Sequence, residues 1–250
     1  MSNASPRCSP IGVRLYSRMS AQESRPLGRH ALWFSIFSIP LFGYWLTNGL
    51  WLDQLSGHLS VLYSLDAFFL LILPLLTFAA MPRTVRPSRL DLGLTSISEN
   101  FFDILGTTIL CCVLLGFSTW IVSSLSWAFL WRFDWIYGKR NIFSWAAVLP
   151  TGLMGYLGKL YLAVSAGFVE EIYFRGLFRH VLYSVLPKRF RESCFLVASA
   201  IAFGAIHWEG GLARLVATAI IGLLAARLFT WLGTLWPLIF AHIVVDLAAL

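Results

Sequence analysis

Seven apolar stretches, near 31–52, 59–81, 103–130, 151–180, 193–208, 212–230 and 234–250, leave this chain few ways to fold. A helix that crosses a hydrocarbon core of roughly 30 Å needs about 20 mostly apolar residues, and these runs are near that length. Backbone groups in lipid must be satisfied within the protein, which restricts spanning structures to helices and closed barrels. The runs are continuous rather than alternating, so they predict helices. Composition agrees: 58% of the residues are hydrophobic and 12% charged, where an ordinary soluble domain is about a quarter charged. Mean hydropathy is +0.74. The expectation is an all-α, polytopic transmembrane helix bundle of about seven spans.

Residues 1–30 form a polar tail, with no short apolar stretch followed by a small-residue cleavage site, so the first run reads as a signal anchor. Arg7, Arg14, Arg18, Arg25 and Arg29 lie in that tail. With the N-terminus inside, Arg83, Arg86, Arg89, Arg179, Lys188, Arg189, Arg191 and Arg227 fall on the same side; Arg132, Lys139, Arg140 and Arg214 fall on the other. Basic residues near helix ends favour the cytoplasm. An integral protein of the plasma (inner) membrane with a cytoplasmic tail over 1–30 follows, and 31–250 reads as a single membrane domain. Segment 81–100 is the longest polar connection and suits a cytoplasmic loop. The mixed stretch 179–191 is expected to run along or out of the interface, turning at Pro187.

The net charge of +7 sits beside the spans, where topology and anionic lipid account for it. No basic face is interleaved with aromatics, so membrane lipids rather than nucleic acid are the expected partners. Cys8, Cys111, Cys112 and Cys194 show neither metal spacing nor a disulfide framework. Asp66 and Lys159 are expected near the outer interface, the lysine with its stem snorkelling outward.

A charged side chain at mid-membrane costs at least about 2.5–3.5 kcal/mol, so each one asks for a partner or a function. Residues 167–176, GFVEEIYFRG, bring three. Neighbouring helical residues project about 100° apart, so Glu170 and Glu171 point in different directions. Glu171 and Arg175 are four apart with the acid first, the favourable order for an ion pair. Glu170 is then left without a cation in its own helix. Ser165, Ala166 and Gly167, about one turn earlier, are small enough for other helices to approach. Two further runs bring polar groups. In FGAIHWEGG, 203–211, His207 ends an apolar helix with Phe203 one turn before it; in AHIVVD, 241–246, His242 and Asp246 share a face.

The plain reading of these positions is polar glue between helices. The chemical reading is a site that adds water to a carbonyl: Glu170 accepts a proton from water, with His207 helping to hold or polarise it. His242 and Asp246 would then lie where an oxyanion develops. Asp246 donates there only when protonated; otherwise it orients His242. Intramembrane Glu and His also build proton relays, so a proton-coupled transporter stays open, as does a non-catalytic membrane scaffold.

In order along the chain, Glu170-Glu171-x-x-x-Arg175, Phe203-x-x-x-His207 and His242-x-x-x-Asp246 resemble the three motifs of the CAAX-processing and bacteriocin-processing (CPBP, or Abi) intramembrane proteases. The resemblance covers about 150–250, the expected catalytic core; the first 140 residues match only in being hydrophobic. It implies endopeptidase action on a membrane-associated protein or peptide, with a prenylated CAAX-type substrate as one option and bacteriocin immunity as a non-catalytic one. By that resemblance Glu170 and His207 activate water, His242 and Asp246 line the oxyanion site, and Glu171, Arg175 and Phe203 support them. Many members have asparagine where this chain has Asp246. No cofactor is expected. Zinc is the open alternative, with Glu170, His207 and His242 as its ligands, because two histidines and a carboxylate are a recognised catalytic set. The absence of a paired HExxH ligand favours the metal-free form.

Overall fold

The computed structural model describes residues 27–51, 58–98, 100–130 and 149–249. Most of the expected polar tail, Cys8, Arg132, Lys139 and Arg140 lie outside the described residues. Each apolar run corresponds to a helical rod, and no strand occurs among the described residues. Helix α1 is Leu27–Trp51. Helix α2, Leu59–Ala67, passes through a π-helical stretch, Phe68–Ile72, into α3, Leu73–Ala80. Then come α4, Phe101–Leu130, and α5, Leu153–Glu171, which continues through a second π-helical stretch, Ile172–Leu177, into α6, Phe178–Val185. The last rods are α7, Lys188–Ala205, α8, Gly211–Leu232, and α9, Trp236–Ala249.

Local sequence explains the first irregularity. Pro74 has no N–H, and its ring would clash with the carbonyl of Leu70, so the helix widens across Phe68–Ile72 just ahead of it. At the end of α3 the orphan carbonyls of Ala79 and Met81 accept from Arg86, whose Nε lies 3.0 Å and Nη2 2.7 Å from the Met81 oxygen. Helix α6 ends at Val185; Leu186 takes an extended backbone ahead of Pro187, and α7 starts at Lys188.

That break comes where the sequence puts the turn, at Pro187, and the helix before it is packed into the bundle. Arg179 and His180 are buried, with Arg179 lying over the rings of Tyr183 and Phe229 at 5.1 and 5.0 Å, because α6 packs against α1 and α7. Asp66, expected near the outer interface, is enclosed by the bundle. It is 2% exposed and accepts hydrogen bonds from Tyr44 Oη (3.0 Å) and Tyr161 Oη (2.8 Å), which join α1, α2 and α5. The first helix also starts inside the expected tail, at Leu27, with His30 buried beside His180 at 5.9 Å between rings.

Three helices are long and apolar enough to cross a membrane by length and composition: Ser60–Ala80, Phe101–Leu130 and Trp208–Leu232. Trp236–Ala249 is apolar but shorter. The outer face of α4 exposes Phe102, Ile109, Val113, Phe117, Trp120 and Phe129. A continuous apolar face of that kind is a liability in water and an ordinary boundary in hydrocarbon. The chain is an all-α membrane helix bundle.

Inside, α8 packs against α7 and α4, and α9 against α4 and α5. One apolar core runs through Phe195, Phe229, Leu235, Leu238 and Ile239; a second, aromatic one joins α1 to the rest through Trp45, Tyr173, Phe174 and Phe203. The 81–100 loop is pinned to the start of α9: Leu235 N donates to Gly93 O (2.9 Å), and Trp236 Nε1 donates to Thr95 O (2.8 Å). Gly93 has φ +78, and a Cβ there would lie 2.6 Å from the Phe229 ring, so no other residue suits this contact.

Candidate active site

The EE…R motif straddles the end of α5 and the π-helical stretch that follows. Arg175 still reaches back one turn to Glu171, with Nη1 3.1 Å from Oε1. Both groups are almost fully buried. The guanidinium also lies 4.4 Å over the ring of Phe203 on α7. Arg175 thus binds an acid from its own rod and an aromatic face from the next. Phe203 is held in turn by Phe174, edge-on at 5.4 Å.

Helix α7 ends at Ala205, and His207 takes a non-helical backbone just past it, φ −107 and ψ 19. Its Nδ1 lies 2.8 Å from the Phe203 carbonyl. A carbonyl only accepts, so Nδ1 carries a hydrogen, and in the neutral ring Nε2 keeps its lone pair. Trp208 follows directly and donates Nε1–H to Leu46 O of α1 (2.9 Å), fixing the turn that presents His207.

From α9, His242 arrives among three carboxylates. Its Nδ1 is 2.9 Å from Glu171 Oε1, while Nε2 is 3.5 Å from Asp246 Oδ2 and 3.8 Å from Glu170 Oε2. The close approach of α9 depends on Gly167, where a Cβ would meet Ile243 Cγ1 at 2.6 Å and the Ile239 carbonyl at 3.2 Å. The rings of His207 and His242 flank Phe203, at 5.0 and 6.1 Å. The expected groupings are therefore all present: Glu171 with Arg175, Phe203 with His207, His242 with Asp246, and the three sets against one another.

A cavity of about 640 Å³ opens beside them, walled by Glu171, Arg175, Phe203, His207, His242 and Asp246 on one side and by α4 on the other. Its size is that of a site for a small ligand or a short peptide segment. Glu170 is buried, is absent from this wall and has no hydrogen-bond partner at Oε2; it faces His242 Nε2 instead. Glu170 has no ion pair within its own helix, as the spacing predicts, and His242 stands across from it, which no local spacing encodes. Ser123, Ser124 and Trp127 of α4 and Arg214 of α8, not among the residues expected at the site, line the same cavity. A serine pair on an otherwise lipid-facing helix was the available signal.

As to a metal, no group of three His, Cys, Asp or Glu side chains among the described residues is disposed to share one ion. Glu170, His207 and His242 do not form a ligand set in this arrangement, and the Nδ1 of His242 is already engaged by Glu171.

Residues 155–248 match the family described as Rce1-like, type II CAAX prenyl endopeptidase Rce1-like. The matched segment starts within α5 and ends within α9, so it holds all seven residues of the three motifs and bears out the resemblance to CPBP proteases read from them. It supports a protease embedded in the membrane. No curated protein and no solved structure matches the chain.

Proposed function

We propose that this protein is an intramembrane endopeptidase that hydrolyses peptide bonds of membrane-associated substrates, prenylated CAAX-type chains among them. One observation carries the reading: motifs from three separate rods meet on one wall of a single cavity. Polar glue would need partners but no cavity of this size. The proposed unit is the membrane domain 31–250, with 150–250 as its catalytic core, in the plasma (inner) membrane with the N-terminus cytoplasmic.

In the proposed reaction, water sits in the cavity against His207 Nε2, whose lone pair is free to accept a hydrogen bond. Glu170, set behind the cavity wall with Oε2 unpartnered, is the proposed base, and the water reaches it past His242, which faces both Glu170 and the cavity. His242 is the proposed donor to the developing oxyanion; Asp246 donates there only when protonated and otherwise orients His242. The tetrahedral intermediate collapses by breaking the C–N bond, and the proton held by Glu170 passes to the leaving amine. Glu171, Arg175 and Phe203 hold the two histidines in register. The mechanism is proposed as metal-free, on the support that the three candidate zinc ligands do not converge.

The test is cleavage of a prenylated CAAX-type peptide by protein purified in nanodiscs. His207→Ala is expected to lower kcat by about 10²- to 10⁴-fold, the range for loss of a general acid–base group, with unchanged helix content. Unaltered turnover in that variant overturns the mechanism. Chelation followed by dialysis is expected to leave activity intact, and its loss with recovery on zinc would reinstate the metal.

A further inference from the structure

The cavity wall holds a cation that the proposed chemistry does not use. Arg175 is occupied by Glu171 and Phe203, but Arg214, in the first turn of α8, lines the same cavity with an exposed side chain. Among the described residues, no carboxylate pairs directly with it. It lies within electrostatic range of His207, Glu209 and Asp246, so its charge is felt at the site's centre.

A basic residue near a helix end is ordinarily explained by snorkelling toward phosphate. Here the backbone is arranged around the side chain. A Cβ at Gly210 would lie 2.0 Å from Arg214 Cδ, 2.7 Å from Cβ and 2.8 Å from Cγ. Gly210 has φ −82, so its backbone does not call for glycine; the room taken by the arginine stem does. Gly210 lines the cavity as well. The stem is therefore laid across a glycine that shares the cavity lining with it.

The anion such a residue meets depends on what enters. A cavity of about 640 Å³ accommodates a short peptide segment, and the anion every peptide end carries is its own C-terminal carboxylate. A guanidinium matches a carboxylate with two parallel N–H···O bonds. Resting on the endopeptidase reading, we propose that Arg214 is a specificity residue that binds the free C-terminal carboxylate of the substrate and so sets the distance from chain end to cleaved bond.

The experiment compares two prenylated CAAX-type peptides of one sequence, ending in a carboxylate or a carboxamide, with wild type, Arg214→Gln, Arg214→Lys and Gly210→Ala in nanodiscs of neutral lipid. The wild type is expected to prefer the acid by about 10- to 100-fold in kcat/KM, carried by KM, as the loss of a charge-assisted hydrogen bond implies. Arg214→Gln is expected to erase the preference without changing turnover of the amide; Arg214→Lys keeps part of it, and Gly210→Ala loses part by displacing the stem. Equal KM for both peptides in wild type overturns this inference and leaves the protease reading standing. A fall in kcat for both peptides with Arg214→Gln overturns it too, since the residue would then serve the chemistry. Absence of cleavage of either peptide by wild type overturns the protease reading, and the inference with it.

Discussion

Arg175 holds the site together through two unlike contacts, an ion pair with Glu171 at 3.1 Å and a stack over Phe203 at 4.4 Å. Removing one partner of a buried pair leaves the other charge uncompensated, at a cost of about 3–5 kcal/mol. Arg175→Met is therefore expected to lose most of the protein's resistance to thermal unfolding in nanodiscs, and a shift within error of wild type would contradict the pairing. Arg175→Lys keeps the charge without the planar face, so a smaller loss is expected. Half of this was legible in the sequence. The four-residue spacing and order of Glu171 and Arg175 predict their pairing from helix geometry alone. The stack on Phe203 depends on how α7 lies against the α5–α6 rod, and no local pattern encodes that.

At the scale of elements, small residues decide how near the helices come. Gly167 admits α9, and Gly204 admits α8, where a Cβ would lie 2.8 Å from the Leu215 carbonyl. Gly204→Ala overpacks a backbone contact and is expected to cost about 1–3 kcal/mol, measured as lowered unfolding temperature. Gly167→Ala is expected to act on function more than on stability. It pushes on Ile243, the neighbour of His242, and a misplacement of about 1 Å at a reacting group costs on the order of 10²-fold in rate. Full activity in that variant would show that α9 is not held to close tolerance. The run Ser165, Ala166, Gly167 already marks this face as one for close approach. The π-helical stretch Ile172–Leu177 was not legible, because the sequence there carries no proline to force it, unlike the stretch before Pro74.

Across the whole molecule, the two halves of the chain are tied by polar contacts between residues far apart in sequence. Asp66 accepts from Tyr44 and Tyr161, and Trp208 donates to Leu46 beside the turn that carries His207. Asp66→Leu would strand two phenols, at about 1–3 kcal/mol for each unsatisfied group, and is expected to lower the unfolding temperature; Tyr161→Phe should lower it less. An unchanged temperature for Asp66→Leu would contradict the clasp. The helix class was legible from the apolar runs, each of which is a helical rod. The role of Asp66 was not, since its partners come from two other helices and an isolated acid near a span end reads as interfacial. The central claim is that Glu170 and His207 jointly deliver water to a peptide carbonyl in this cavity. Its most direct measurement is single-turnover cleavage of a prenylated CAAX-type peptide by metal-analysed wild type, Glu170→Gln, His207→Ala and the double variant in nanodiscs. The account expects each single change to abolish most cleavage and the double to be scarcely worse than either, because the two act as one unit. Cleavage at the wild-type rate by Glu170→Gln, or strictly additive losses, would contradict it.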